Sequence, residues 1–195
     1  TENTLTHNTI TPTNTNQVSL TPTQDTYIRR RFPNRNQGTG LNLRLTRTGR
    51  NRTLIQFDAQ AITNAVGTST LEEAHLELII AQTGNNWGTS GRLVNLHTLT
   101  KNWTETGATW NCADDARPNN NRKNCFGATV WAMGGWRPRP WSNPPTDTQT
   151  IQSNQTGTVR FDVTSDITAL LQSINAGNPA EHSGWILKKR NEFRN

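Results

Sequence analysis

The residues best suited to hold a ligand crowd one short run, Trp131-Ala-Met-Gly-Gly-Trp136-Arg-Pro-Arg-Pro-Trp141. Indole faces stack on sugar rings and attract cations, and guanidinium groups beside them add fixed positive charge. Trp131, Trp136, Arg137, Arg139 and Trp141 are therefore the candidate contacts for a glycan or a protein partner. The plainer reading is that these tryptophans pack their loop onto the body of the fold. Trp103, Trp110 and Trp185 sit in strand-like or motif-like surroundings and read as core.

No comparable grouping supports catalysis. Glu72 and Glu73 are consecutive, so on a strand they face opposite sides and cannot work as a paired acid and base. Asp114 and Asp115 fall in a polar loop and read as solvated, while Glu105 reads as a turn residue bonded to backbone. His7, His75, His97 and His182 lack metal-ligand spacing. Neither G-x-S-x-G nor a phosphate-binding loop is present. Asp25, Asp58, Asp114, Asp115 and Asp162 carry oxygens suited to Ca²⁺, yet not in an EF-hand register. The chain reads as non-catalytic and without a cofactor.

Charge narrows the partners. Lys and Arg number 20 against 14 Asp and Glu, for a net charge of +6. The basic clusters are short (Arg29-Arg30-Arg31, Lys188-Lys189-Arg190) and interleaved with Asn and Thr rather than stackable aromatics, which argues against nucleic acid. An acidic polysaccharide or an anionic cell envelope fits the same charge. Cys112 and Cys125 flank the polar loop Ala113–Asn124. A bridge between them would stabilise that loop and place the protein in an oxidising compartment; two free thiols are the alternative. No apolar run reaches membrane-spanning length, and a start at Thr1 without Met reads as a processed, secreted form, though a trimmed chain would start the same way. Sequons occur at Asn51, Asn102 and Asn154, no more than an Asn- and Thr-rich chain produces by chance.

The elements that must position these residues are mostly strands. Hydrophobic residues make up only 31% and charged residues 17% of the chain, leaving a large share of Thr, Asn, Gln, Ser and Gly that suits strand faces and turns. Period-two alternation marks Val18 and Leu20, Leu41-Leu43-Leu45, Ile55-Phe57, Ala74-Leu76-Leu78-Ile80, Val94-Leu96 and Val159-Phe161-Val163, with Trp185-Ile186-Leu187 as the last strand. One helix interrupts them over about residues 164–176, where Ile167, Leu170, Leu171 and Ile174 share a face. Thr164 or Ser165 caps its start and Gly177 its end. Residues 111–150 read as one long irregular loop. Short strands separated by Gly, Asn and Pro turns predict an all-β sandwich or jelly roll over 18–195, preceded by an extended arm over 1–17.

Several of these stretches resemble DNRLRE-type domains, also classed as carbohydrate-binding module family 96. Asp25-Thr26-Tyr27-Ile28-Arg29 is similar to an opening D-T-Y-V-R, and Asn36-Gln37-Gly38-Thr39 to an N-x-G-T turn. Arg52-Thr53-Leu54-Ile55-Gln56-Phe57-Asp58 resembles R-x-L-L-x-F-D. Trp103-Thr104-Glu105-Thr106-Gly107-Ala108-Thr109-Trp110-Asn111 resembles W-T-E-x-x-x-T-W-N, the most specific of the set. Phe161-Asp162-Val163-Thr164 and Gly184-Trp185-Ile186-Leu187 come next, in order. The resemblance implies a secreted jelly-roll sandwich, some of whose relatives bind polysaccharide, and no enzyme.

The sequence departs from that pattern twice. The Cys112–Pro145 segment is longer than usual, and no strand resembling P-x-L-x-V-x-Y comes after Trp185-Ile186-Leu187 before Asn195. A sandwich one strand short offers an edge to another chain, and the Thr-rich arm could supply the strand, with Leu5, Thr6, Asn8 and Ile10 as the inserting residues. Head-to-tail repetition of that contact builds a filament. A longer native chain, an arm folded back on its own domain, or an arm serving as a linker compete with this. The expectation is an extracellular or cell-surface structural subunit that polymerises with copies of itself, the alternative being a polysaccharide-binding module.

Overall fold

A computed structural model describes residues 17–46, 50–84, 87–131 and 139–192. The proposed arm residues Leu5, Thr6, Asn8 and Ile10, and the loop residues Trp136 and Arg137, lie outside these. The described residues form seven strands and two short α-helices: β1 (Gln24–Arg29), β2 (Asn51–Gln56), α1 (Ala59–Val66), β3 (His75–Ile80), β4 (Arg92–Thr98), β5 (Asp147–Ile151), β6 (Gly157–Asp162), α2 (Thr164–Asn175) and β7 (Trp185–Lys189). Five strands make one antiparallel sheet in the order β1-β2-β7-β4-β5, and β3 pairs with β6 in a second. The expected all-β sandwich with a short helix near 164–176 is borne out.

The side chains of the large sheet alternate between two hydrophobic cores. Ile55, Val94, Leu96, Trp185 and Leu187 point between the sheets, where they meet Leu76 and Phe161 of the small sheet, Ile62 of α1 and Ile167 and Leu170 of α2. Ile28, Leu54 and Ile186 point the other way, into a second core closed by Leu99, Trp103, Trp110, Trp131 and Trp141. An antiparallel sheet commonly leaves one face wet; here the connection between β4 and β5 covers that face with four indoles. The continuous apolar run Trp185-Ile186-Leu187 reflects this, since both of its faces are dry.

Several local expectations are corrected. Leu41, Leu43 and Leu45 form no strand: Leu41 is fully exposed, while Leu43 and Leu45 lean on the inner core from a loop. Val18 and Leu20 are likewise exposed and outside any strand. Residues 147–151, expected mostly as loop, are β5. Residues 59–66, for which no element is expected, are α1, started by Asp58, whose carboxylate accepts the Ala61 N–H at 2.7 Å. At α2 neither Thr164 nor Ser165 is the cap: Val163 holds that position with no side-chain bond, and the Asp162 carboxylate instead accepts the Thr164 N–H. Gly177 closes that helix as expected, at φ 85°.

Two glycines of the motif stretches are needed for space. A Cβ on Gly38 would collide with the Glu105 carbonyl, and one on Gly184, at φ +76°, with the Ile55 carbonyl. The first lets the Asn36–Thr39 turn dock on the Trp103-Thr104-Glu105 turn. The second lets the chain enter β7 tight against β2.

Candidate functional site

Trp131 and Trp141, the described tryptophans of the run, do not make an open platform. Trp131 is 2% and Trp141 7% exposed, the burial that the packing alternative expects. Trp131 donates its indole N–H to the Thr109 carbonyl at 2.7 Å. The Arg52 guanidinium lies over Trp141 at 5.0 Å and over Trp110 at 4.5 Å. Aromatic area of this size is worth more inside the second core than on the surface. Arg139 is exposed.

The Cys loop is held from within. Cys112 and Cys125 form a disulfide. Asp115, expected to be solvated, is buried and accepts the N–H groups of Arg117 and Asn124. Asp114 accepts the Thr104 hydroxyl at 2.7 Å. Glu105 works through its main chain: its N–H goes to Gln24 Oε1 and its carbonyl accepts from Asn36 Nδ2.

These anchors bring two distant loops together. The turn after β1 (residues 30–36) bonds to the Cys loop through Asn34 Nδ2 to the Asn121 carbonyl, Asn111 Nδ2 to Asn34 Oδ1, and the Asn36 N–H to Asn119 Oδ1. One loop exposes Arg30, Arg31 and Arg35, the other Arg117, Arg122 and Lys123. At the centre of the first, the Phe32 ring is flanked by the guanidinium carbons of Arg29, Arg35 and Arg31, at 4.5, 5.1 and 5.7 Å. Three like charges are thus held within a Debye length (~10 Å at 0.1 M salt), where their fields add. Among the described residues the ion pairs are Arg52–Glu192 and Arg160–Glu77; no carboxylate pairs with the cations of either loop. Arg29 Nε is buried with no acceptor among the described residues. Phe126, on the Cys loop, stands 82% exposed.

The sequence carries little sign of this cluster. The side chains that join the two loops are 77 to 87 positions apart, and the cluster's basic runs are short, Arg29-Arg30-Arg31 and Arg122-Lys123. Phe32 and Phe126 belong to no motif.

The opposite end of β1 and β2 has the reverse character. Gln24 and Gln56, paired across the strands, border an open groove of about 480 Å³ lined also by Phe57, Asp58, Asn102, Glu181 and His182. No Arg or Lys among the described residues lines it. Among the described residues no group of three or more His, Cys, Asp or Glu gathers as a metal site, and no helix is long and apolar enough to cross a membrane.

An all-β sandwich whose loops gather unpaired charge at one end has the form of a binding module. The family model of carbohydrate-binding module family 96 matches residues 16–137, most of the chain, and the protein belongs to that family. The matched span contains both cationic loops and the disulfide. No curated protein matches the chain.

Proposed function

We propose that this protein is a non-catalytic, extracellular carbohydrate-binding module whose ligand is an acidic polysaccharide, held by the two cationic loops. The observation that carries this reading is the set Arg30, Arg31, Arg35, Arg117, Arg122 and Lys123, exposed on hydrogen-bonded loops and facing no carboxylate partner among the described residues. Guanidinium groups match carboxylate and sulfate oxygens bidentately, and exposed Phe126 offers a ring face for a sugar. The chemistry needs neither metal nor bond making. Residues 18–195 would act as one unit, with Arg139 contributing long-range charge and Trp131 and Trp141 supporting the loops from below.

Affinity electrophoresis and calorimetry on alginate test the proposal. Arg35→Ala/Arg122→Ala/Lys123→Ala should weaken binding by ten- to a hundredfold, about 1.4 kcal/mol per factor of ten, with an unchanged unfolding midpoint. Wild-type affinity should fall steeply with added NaCl. Salt-independent binding, or a triple variant that binds like wild type, would remove the loops from the site.

A second reading, assembly by strand addition, draws on the small sheet. Among the described residues β3 pairs on one side only, and Ile79 on that strand is 82% exposed. Such an edge suits an added strand, with Leu5, Thr6, Asn8 and Ile10 as donors from residues 1–17. Deleting residues 1–12 should then abolish high-mass assemblies in light scattering; assemblies of unchanged mass would rule it out.

A further inference from the structure

We propose that the groove at the Gln24–Gln56 end is a second glycan subsite, one that takes a neutral, hydroxyl-rich sugar residue rather than an acidic one. This rests on the reading of the chain as a glycan-binding module, but on none of the residues that hold the acidic ligand. The groove of about 480 Å³ is open and lined mainly by polar side chains, unlike the mostly apolar clefts that take small apolar ligands, and so suits a hydroxyl-rich one. Phe57 supplies an apolar wall, braced edge-on against Trp185 with ring centroids 6.1 Å apart.

The polar groups are half committed to the fold and half open. Gln24 and Gln56 bond to each other at 3.2 Å, and Gln56 also donates to the His182 carbonyl, which sets the floor. Asn102 accepts from Ser183 Oγ through Oδ1 at 2.6 Å, leaving its Nδ2 donor open among the described residues. Asp58 spends Oδ1 on the Ala61 N–H, leaving Oδ2, and Glu181 is exposed with no side-chain partner among the described residues. An amide donor, two carboxylate acceptors and an aromatic wall are the complement of a sugar's hydroxyls and apolar ring face. Both charges are negative, so a uronate or sulfated residue is repelled from the groove that a neutral one enters. β1 separates the two sites by its length, roughly 20 Å for its 6 residues, too far for a single sugar to bridge.

The test uses the whole chain titrated with neutral hexasaccharides (cellohexaose, mannohexaose, laminarihexaose) and followed by ¹H–¹⁵N NMR. At least one should shift the amides of Gln56, Phe57, Asn102 and Glu181 while leaving Arg35 and Lys123 in place. Asp58→Asn/Glu181→Gln keeps a good helix cap at the start of α1 yet should weaken that binding about tenfold, with alginate affinity unchanged. Silence of the groove toward all three neutral sugars, or shifts confined to the cationic loops, would overturn the subsite. Loss of alginate binding in the loop variant would be unaffected by either result, so the two proposals fail separately.

Discussion

His97 and His182 are buried bases without a full set of partners. His97 makes one bond through Nδ1 to the Ser142 carbonyl, while its Nε2 and both His182 ring nitrogens have no partner among the described residues. Burial pushes each imidazole from 6.5 down to about 4; at His97 the positive charges of Lys188, Arg139 and Arg52 add to this and the Ser142 bond opposes it, while at His182 Asp166 opposes it. The sign comes from proton uptake: between pH 6.5 and about 4 the unfolded chain binds these protons and the folded chain does not. Stability is therefore full above pH 6.5 and falls as pH drops toward 4, by at most about 1.4 kcal/mol per pH unit for each histidine. Melting temperatures measured across that window should decline; a flat profile would show that these rings reach water in the folded state. The Arg52–Glu192 pair, 2.6 Å apart with side chains 3% and 1% exposed, makes the other residue-scale prediction. Glu192→Ala leaves a charge buried against Trp110 and Trp141 and should cost about 3–5 kcal/mol, whereas replacing both partners with apolar residues of similar size recovers much of it. Denaturant midpoints of the single and double variants decide this.

At the scale of elements, the disulfide and the Asp115 turn together set the loop that carries Arg117, Arg122 and Lys123. Cys112→Ala/Cys125→Ala removes a cross-link spanning 13 residues and should lower stability by about 3 kcal/mol. Alginate affinity should fall further than the change in folded fraction explains, because the cations lose their fixed spacing. The alternation of Leu76, Leu78 and Ile80 and of Val159 and Phe161 is legible in the sequence because each strand has one dry and one wet face. Leu41-Leu43-Leu45 shows the same alternation and is not a strand; its period reports only that two of the three leucines reach the core. β5 is invisible in the sequence because Asp147-Thr-Gln-Thr-Ile151 buries little apart from Ile151. α1 is hidden because Asp58 completes a strand-like Arg52–Asp58 stretch, and only its bond to the Ala61 N–H turns the chain into a helix.

For the molecule as a whole, the sandwich is legible in the sequence and the cationic surface proposed to bind is not. Sheet order and core depend on hydrophobic patterning within each segment, which the sequence displays locally. A charged surface depends on which loops meet, and Asn34 with Asn121 gives no local sign that residues 30–36 and 117–123 are neighbours. The tryptophans mislead for the same reason: nothing in the run 131–141 reveals that the outer face of the large sheet needs covering. β7, the last of the described strands in chain order, is the middle one of that sheet, joining β1-β2 to β4-β5. A chain emerging from the ribosome therefore carries two half-sheets with bare inner edges until Trp185–Lys189 arrives. Pairing across such sequence distance is slow, and exposed edges invite misassociation meanwhile. Strand pairing between the two halves waits on Trp185–Lys189, which makes this a chain to which chaperones and slow, cool expression matter.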